Sequence, residues 1–459
     1  MMTQRLRTTL SGDRAPLHRS TSDLTAQPSG DLSRSFDTAS LRQAARSSRS
    51  GWQTQAATPE PLTRGLAARS PSRAITRTTA QRQRSVNLKK ATQNTTAEWT
   101  VMVYMAGNNL ESYAIQDFLE LAAAGSDRRV NLVVQIDRTA GYDSSYGNWT
   151  DTRRGKVQKN SKPNASWGSR VGEANMGSAT ALKNFVTWGT NTYKAQHYAL
   201  VMWGHGDGHQ VSYDDATANG ISGAELNSVL AGVAAEVDLV GTDACLMSTT
   251  DFAAQIADNA SVFVGSQELE PGTGWNYTPV IQDLKTNPAM TAAQLGSSLV
   301  TRYAQAYSPR NETLSAIDLT ALRSSNPNSL TNALNSFATT LASSATSQDL
   351  SLLNLWRDRL ANVFDTSAQP DDLCDVGRLF SGFASSPGLS ASLQVAARVV
   401  LSAYSSTVIH NYTAIANRST GLSLYFSDRG SAPEVNDLSQ SAFAPQWSAF
   451  VNGSLWGLG

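Results

Sequence analysis

The chain has 459 residues, which suits two or three domains or one large α/β domain with an appended one. It is 40% apolar and 16% charged, and its 37 basic residues balance 37 acidic ones, so the formal net charge is zero. Its two cysteines exclude a disulfide framework and a CxxC metal site, and its five histidines contain no zinc-binding HExxH pair.

The first 97 residues differ from the rest in charge and composition. They hold 16 Lys and Arg against 5 Asp and Glu, whereas residues 98–459 hold 21 against 32, so a basic arm precedes an acidic body. The arm is rich in Ser, Thr, Arg and Gln and has too little apolar surface for a core, which predicts disorder. Three roles stay open for it: a solvated tail, a removable pro-segment, or a tether to nucleic acid or an anionic surface.

From Trp99 onward, apolar runs alternate with segments of helical periodicity. The predicted strands are Thr100–Met105, Val130–Ile136, Tyr198–Trp203, Val237–Gly241 and Ser261–Gly265. The predicted helices are Leu110–Ala124, Thr180–Ala195, Ser222–Ala234 and Ser248–Ala257. A polar, basic segment at residues 149–164 predicts a hairpin. This alternation predicts a parallel sheet with right-handed crossovers and helices on both faces.

Beyond Met290, helical patterns dominate. The strand candidates there are Leu314–Leu319, Thr407–Ala416 and Gly421–Phe426. We therefore divide the chain into the arm at residues 1–97, an α/β core at 98–290, and a C-terminal part at 291–459. The C-terminal part is expected to extend the sheet and to add a helical subdomain.

Functional groups of an open parallel sheet collect beyond the carboxyl ends of its strands. His205 follows the third predicted strand, and Cys245 follows the fourth. Neighbouring parallel strands lie about 4.8 Å apart, so both side chains can face one cleft. A thiolate that attacks and an imidazole that protonates the leaving group form the pairing that a thiol nucleophile needs.

Residues around this pair fit the same chemistry. Glycines on both sides of His205 leave room for a substrate backbone, and the amides of Gly206 and Cys245 are candidates for an oxyanion hole. Ser248 is expected to cap the next helix, whose positive end would lower the pKa of the Cys245 thiol. Structural roles are favoured for Cys374 and for the remaining histidines, because an isolated Cys is most often a small buried hydrophobe.

Four blocks of the sequence, in this order, resemble the clostripain family of cysteine peptidases. They are WTVMVYMAGNNLE at 99–111, VMWGHG at 201–206, DACLM at 243–247 and SQELEPGTGW at 266–275, and TGLSLYF at 420–426 resembles a later strand of that family. The resemblance covers roughly residues 98–430. It implies a caspase-like α/β fold, with a mostly parallel sheet flanked by helices, a more helical C-terminal subdomain and a disordered N-terminal arm. It also implies peptide-bond hydrolysis by a dyad of His205 and Cys245 through a thioester acyl-enzyme.

The resemblance also suggests the specificity, because relatives typically cut after Arg and sometimes Lys. Asp243 matches an acidic residue that lines their pocket for that side chain, and the other candidate substrate-binding residues are Glu268, Glu270, Thr273 and Trp275. Thr273 stands where some relatives carry Asp. This departure predicts weaker or broader basic selectivity, since a guanidinium prefers a bidentate carboxylate.

Several relatives cleave themselves between the His and Cys blocks. Here no Lys or Arg occurs from His205 through Cys245, so no basic-site cleavage is expected there. The arm contains 14 Arg, which predicts that the enzyme removes the arm from itself.

Expected partners are polypeptide substrates only, without nucleic acid, a membrane span or a second subunit. No cofactor is required and no metal site is assigned, although the family resemblance suggests calcium, for which Asp214 and Asp215 offer a partial oxygen site; a solvated loop is the alternative. No conventional secretory leader is recognisable in this sequence, which leaves a cytoplasmic location or leaderless export as expectations.

Two other functions stay open. A thiol-dependent acyl transferase or esterase is weakened because no GxSxG-like elbow surrounds Cys245 and no third residue is evident to orient His205. A non-catalytic caspase-like binding module is weakened by the intact Cys245 and His205.

Overall fold

The computed structural model describes residues 96–308, 312–360, 373–414, 419–426 and 444–451, so the predicted disorder of the arm lies outside the described residues. Its strands are β1 Ala97–Ala106, β2 Val130–Asp137, β3 Thr152–Lys156, β4 Ser169–Gly172, β5 Ala195–Trp203, β6 Gln210–Asp214, β7 Asn219–Ser222, β8 Leu239–Asp243, β9 Val262–Gly265, β10 Thr313–Asp318, β11 Leu373–Asp375, β12 Val408–Thr413 and β13 Ser423–Tyr425. Its helices are α1 Glu111–Ala124, α2 Ala179–Thr192, α3 Gly223–Ala231, α4 Thr250–Ile256, α5 Tyr277–Thr286, α6 Ala292–Tyr307, α7 Leu330–Ser344, α8 Ser347–Leu360, α9 Val376–Ser385, α10 Ala391–Thr407 and α11 Pro445–Val451.

A nine-stranded sheet forms the centre of the molecule. Its strand order is β12-β10-β9-β8-β5-β1-β2-β3-β4. The five central strands, β9, β8, β5, β1 and β2, are parallel to their neighbours within that group. Two antiparallel strands extend each edge. The predicted parallel sheet is therefore confirmed in its central part.

Both faces of the central sheet are covered, which explains why its strands are continuous apolar runs. Alternate residues of β1 enter opposite cores: Met102 and Tyr104 pack on one face, and Val101 and Val103 on the other. Helices α1, α5 and α6 cover the second face, whereas α2, α3, α4, α7, α9, α10 and α11 cover the first. The Ser222 capping box at the start of α3 forms as predicted.

Two predicted strand regions differ from the structure. The hairpin expected at residues 149–164 is built from β3 and β4, which begins only at Ser169, and it joins the main sheet at the edge of β2. The strand expected at 421–426 does not extend the main sheet, because β13 pairs with β11 in a separate two-stranded sheet. The division at residue 290 stays a prediction.

The helices in the described ranges include none that combines the length and the apolar character needed to cross a membrane.

Candidate active site

The central sheet places His205 and Cys245 at matching positions on neighbouring strands. In the parallel register of β5 and β8, Trp203 lies opposite Asp243. His205 and Cys245 each follow two residues later, and the amide of Gly204 donates a 3.3 Å hydrogen bond to the carbonyl of Asp243. Both side chains are half-buried, so each keeps a solvent-facing part. The two groups thus leave the sheet side by side at the same edge.

Glycine is required where these two turns meet. A Cβ on Gly206 would lie 2.7 Å from the carbonyl oxygen of Cys245, so only a residue without a side chain allows this approach. Gly204 adopts a φ of 140°, a conformation that favours glycine. The amide N–H groups of Gly206 and Cys245 donate no hydrogen bond to any other residue that the structure describes. Both are therefore available for an external oxygen, as an oxyanion hole requires.

The Cys245 sulfur contacts the loop that follows β9. Its Sγ accepts a hydrogen bond from the amide of Glu270 at 3.3 Å. Burial raises the pKa of this thiol, and the carboxylates of Glu270 and Asp243 add to that effect. The expectation of a lowered thiol pKa is therefore wrong for the conformation in the structure.

The helix that was expected to lower this pKa begins later than predicted. Helix α4 starts at Thr250, and its cap is Thr249, whose hydroxyl accepts from the Phe252 amide at 3.2 Å. Ser248 instead donates to the carbonyl of Gly421 at 2.7 Å. Cys245 thus precedes the N-cap by four residues rather than standing beside it.

A third residue contacts the imidazole. The Oδ1 atom of Asn109 lies 2.7 Å from Nε2 of His205. Asn109 follows β1, and β1 is the direct neighbour of β5. Sequence reasoning found no residue to orient His205, although the position of Asn109 just beyond a strand end was a signal.

Three carboxyl groups gather beside the Cys245 turn. Asp243 accepts from the hydroxyl of Tyr277 at 2.6 Å and from the amide of Trp275 at 3.1 Å. Asp117 on α1 accepts from the Trp203 indole at 2.7 Å. A Cβ built on Gly274 would lie 2.7 Å from Oδ2 of Asp117 and 2.8 Å from Oδ2 of Asp243. Both carboxyl groups therefore lie against the backbone of Gly274.

Glu270 completes this carboxyl cluster of Asp117, Asp243 and Glu270. Its Oε1 accepts from the Trp275 indole at 3.2 Å, and the hydroxyl of Tyr303 lies near enough to its buried carboxyl group to lower the pKa of Glu270 as a hydrogen-bond donor. Sequence reasoning missed Asp117, but a signal existed, because it lies on the buried face of α1 with Ala114, Phe118 and Leu121.

Burial dominates the electrostatics of the carboxyl cluster. It raises the pKa of Asp243 to about 7 and the pKa values of Asp117 and Glu270 well above their usual range. Neighbouring carboxylates add to this: Asp243 raises the pKa values of Asp117 and Glu270, and Glu120 raises that of Asp243. No Lys or Arg in the described ranges forms an ion pair with any of the three. The cluster therefore lacks a cation within the described residues, and burial favours the protonated form of its carboxyl groups.

The remaining predicted pocket residues take different positions. Trp275 is buried between Asp243 and Glu270, as its hydrogen bonds show. Thr273 is exposed, and its hydroxyl lies 2.7 Å from that of Tyr307. Glu268 is half-buried, and its carbonyl accepts from the amide of Leu246 at 3.0 Å. The structure thus brings Asp243, Glu270 and Trp275 together and leaves Thr273 exposed outside the carboxyl cluster.

Protein donors already occupy the carboxylate proposed for calcium. Asp214 accepts from the amide and hydroxyl of Thr217, both at 3.0 Å, and from the amide of Met176 at 2.8 Å. Within the described ranges, no group of three or more His, Cys, Asp or Glu is arranged to hold a metal ion. Calcium binding stays a prediction.

Comparison with known proteins identifies the family. The profile of the clostripain family matches residues 103–451, which is most of the chain. This chain belongs to the clostripain family. The expected caspase-like α/β architecture agrees with solved C11 cysteine proteases of that family.

Individual relatives give the extent of the similarity. Clostripain of Hathewaya histolytica is 28% identical over an alignment of 233 residues. The match covers 43% of this chain and 44% of that protein, so it spans less than half of the relative. A secreted C11 cysteine protease from Bacteroides thetaiotaomicron, solved with an irreversible peptide inhibitor, has a TM-score of 0.55 at 19% identity and covers 77% of this chain and 99% of its own. An inactive zymogen C11 protease from Parabacteroides distasonis has a TM-score of 0.54 at 19% identity, and the match covers 78% of this chain and 96% of that protein. At these identities the two structures support the fold.

Proposed function

We propose that this clostripain-family member is a cysteine endopeptidase that cleaves polypeptides after Arg or Lys. The observation that carries the proposal is the arrangement at the ends of β5 and β8, where a half-buried thiol and imidazole share one edge beside two amides without acceptors. A nucleophile, a proton carrier and an oxyanion site are the three parts that acyl transfer through a thiol needs.

The reaction follows from these parts. The thiol proton of Cys245 passes to His205, and the sulfur forms a bond to the scissile carbonyl carbon while the amides of Gly206 and Cys245 bind the oxyanion. The C–N bond then breaks, and His205 gives its proton to the leaving amine. Water, deprotonated by His205, attacks the thioester and releases the acid, which restores the thiol.

The raised thiol pKa indicates that the sulfur is held as a thiol before substrate arrives. The Glu270 amide that donates to Sγ lowers the thiol pKa and so offsets part of the effect of burial.

The carboxyl cluster supports basic selectivity. It has three carboxyl groups and no paired cation in the described ranges. A guanidinium or ammonium group from the substrate would supply the missing charge and donors. We assign Glu270 and Asp243 to this contact.

A panel of fluorogenic peptides tests the proposal. Peptides that differ only in Arg, Lys, Gln or Leu before the cleaved bond are incubated with wild type, Cys245→Ala and Cys374→Ala. We expect hydrolysis after Arg and Lys by wild type and Cys374→Ala, and loss of about 10⁴-fold or more in Cys245→Ala, because no other nucleophile is available. Cys374 is a suitable control because it is the other cysteine of the chain and its side chain is buried, which keeps its thiol from substrate.

Other outcomes of the same panel contradict parts of the proposal. Equal rates on all four peptides would contradict basic selectivity, and activity in Cys245→Ala would contradict the nucleophile. Transfer to an added amine without hydrolysis would favour the acyl transferase alternative. The proposed reaction needs no cofactor, and repetition with EDTA or calcium shows whether a metal contributes.

A further inference from the structure

Asn109 makes a direct contact with the imidazole of His205 that the proposed reaction does not use. Its Oδ1 lies 2.7 Å from Nε2 of His205, within normal hydrogen-bond distance. The side chain of Asn109 is exposed, and His205 is half-buried. The contact is therefore at the solvent-facing side of the site, where substrate also arrives.

The turn that carries Asn109 is held in place from several directions. It is a short 3₁₀ turn, Asn108–Leu110, closed by a 2.7 Å hydrogen bond from the Leu110 amide to the Gly107 carbonyl. Asn108 is buried with a φ of 39°, and its Nδ2 donates to the carbonyl of Tyr213 at 2.7 Å. Gly107 packs so closely that a Cβ would lie 2.5 Å from the carbonyl oxygen of Asp137. Neighbouring strands thus fix the backbone from which Asn109 projects.

The chemistry of the contact selects one form of the imidazole. An amide oxygen only accepts, so Nε2 must carry a hydrogen to bond with it. In neutral imidazole the other nitrogen, Nδ1, then holds the lone pair. Nδ1 of His205 has no hydrogen-bond partner among the residues that the structure describes. Nδ1 is therefore the ring nitrogen left open to take up a proton.

We infer that Asn109 is a positioning residue that holds His205 in the Nε2–H form, so that Nδ1 carries the proton between the thiol and the leaving group. This inference rests on the proposed function, because it assigns a role to the same imidazole. In the imidazolium state Asn109 accepts the Nε2–H as before, so the contact persists through the proton transfers. Loss of the contact leaves the ring free to rotate and to exchange tautomers.

Two substitutions at one position test the inference. Asn109→Ala removes the acceptor, and we expect kcat on the best Arg peptide to fall about 10- to 100-fold with KM changed by less than about twofold. Asn109→Asp keeps an acceptor oxygen and adds a charge, so we expect it to recover most of the lost kcat. The added carboxylate favours the imidazolium, so the imidazole limb of the pH–rate profile should move about one unit to higher pH.

A matched control separates this role from stability. Asn227→Ala removes another side-chain hydrogen bond, the 2.7 Å bond from Nδ2 of Asn259, in which Asn227 is the acceptor. We expect wild-type kinetics from Asn227→Ala and wild-type Tm from both Asn109 variants, because the Asn109 side chain is exposed. Nitrogen-15 spectra of histidine-labelled protein give a second readout: the Nε2–H pattern should be present in wild type and averaged in Asn109→Ala.

The outcomes distinguish the inference from the function on which it rests. If His205→Ala is inactive but Asn109→Ala keeps the wild-type kcat and pH profile, the positioning role is wrong and the proposed dyad stands. If His205→Ala keeps wild-type activity, the dyad itself is wrong. If Asn109→Asp is as slow as Asn109→Ala with an unshifted pH profile, the side-chain acceptor is not what matters and the inference is overturned.

Discussion

At the scale of single residues, the main finding is a cluster of carboxyl groups, Asp117, Asp243 and Glu270, whose pKa values are raised by burial. Asp243 and Glu270 lie beside Cys245, and both have raised pKa values because burial disfavours the charged form. A carboxyl group with a folded pKa above its unfolded value destabilises the fold as pH rises through that range. Titratable groups with strongly shifted pKa values concentrate at functional sites. We propose that these carboxyl groups bind the cationic side chain of the substrate.

The pH dependence of selectivity tests this interpretation. For an Arg peptide we expect kcat/KM to rise as pH rises through about 7, where Asp243 loses its proton and the pocket gains negative charge. For a Leu peptide the same rise should be smaller. The measurement is the ratio of the two kcat/KM values from pH 5.5 to 8.5, and a ratio that is constant or falls with pH would contradict a cationic subsite.

Glu270 should matter more than Glu268. We expect Glu270→Gln to lower kcat/KM on the Arg peptide about 10- to 100-fold, because one charge-assisted hydrogen bond contributes roughly 1.5–3 kcal/mol, and to change the Leu peptide little. Glu268→Gln makes the same change two residues away and serves as the matched comparison. Equal losses from the two variants, or equal losses on the two peptides, would contradict the assignment.

At the scale of elements, the turn after β8 is fixed by contacts with distant segments. Leu246 has a φ of 65°, and its amide donates to the carbonyl of Glu268 at 3.0 Å. The Ser248 amide donates to the carbonyl of Ser266 at 2.8 Å. The Ser248 hydroxyl donates to the carbonyl of Gly421 at 2.7 Å. The turn that carries Cys245 is thus held between the loop after β9 and the segment before β13, so the late TGLSLYF block supports the candidate site.

The turn that carries His205 and the turn that carries Cys245 approach each other closely, and this approach gives a prediction at the scale of elements. Gly206→Ala should lower kcat/KM about 10- to 100-fold, because its Cβ would lie 2.7 Å from the Cys245 carbonyl and the two turns would have to separate. The test measures kcat/KM and Tm of Gly206→Ala, and we expect this variant to be folded but to have low activity. Gly232→Ala is the control, since the nearest atom there is the flexible end of Lys183. Full activity of Gly206→Ala would show that the turns do not need this approach.

At the scale of the whole molecule, the charge of the chain is divided. The arm has an excess of 11 positive charges and the body an equal negative excess. A basic segment covalently joined to a body with an acidic subsite is at high effective concentration for it. We propose that the arm is the first substrate of the enzyme.

Mass spectrometry of purified protein tests this proposal. We expect wild type and Cys374→Ala to lose part of residues 1–97 by cleavage after Arg, and Cys245→Ala to keep the arm, because it lacks the nucleophile. Residues 205–245 should stay intact in all three, since they contain no Lys or Arg. Trimming of pure Cys245→Ala at the same sites would contradict self-processing.

The sequence by itself determined the central strands and the positions of His205 and Cys245 beyond their ends. Strands buried on both faces must be apolar throughout, and polar residues that follow such runs mark the strand ends, so local patterns carry this information. Helix ends and edge strands were less well predicted, as the late start of α4 and the position of β13 show, because they depend on contacts with distant segments.

Only the tertiary structure decided which residues surround the dyad. Asn109 and His205 are 96 positions apart, and although each follows a strand end, their contact depends on β1 and β5 being neighbours in the sheet. Asp117 joins Asp243 and Glu270 only because α1 packs against the edge where β8 ends. The raised pKa of Cys245 likewise results from burial by a loop beyond β9, a three-dimensional property that neither spacing nor composition contains.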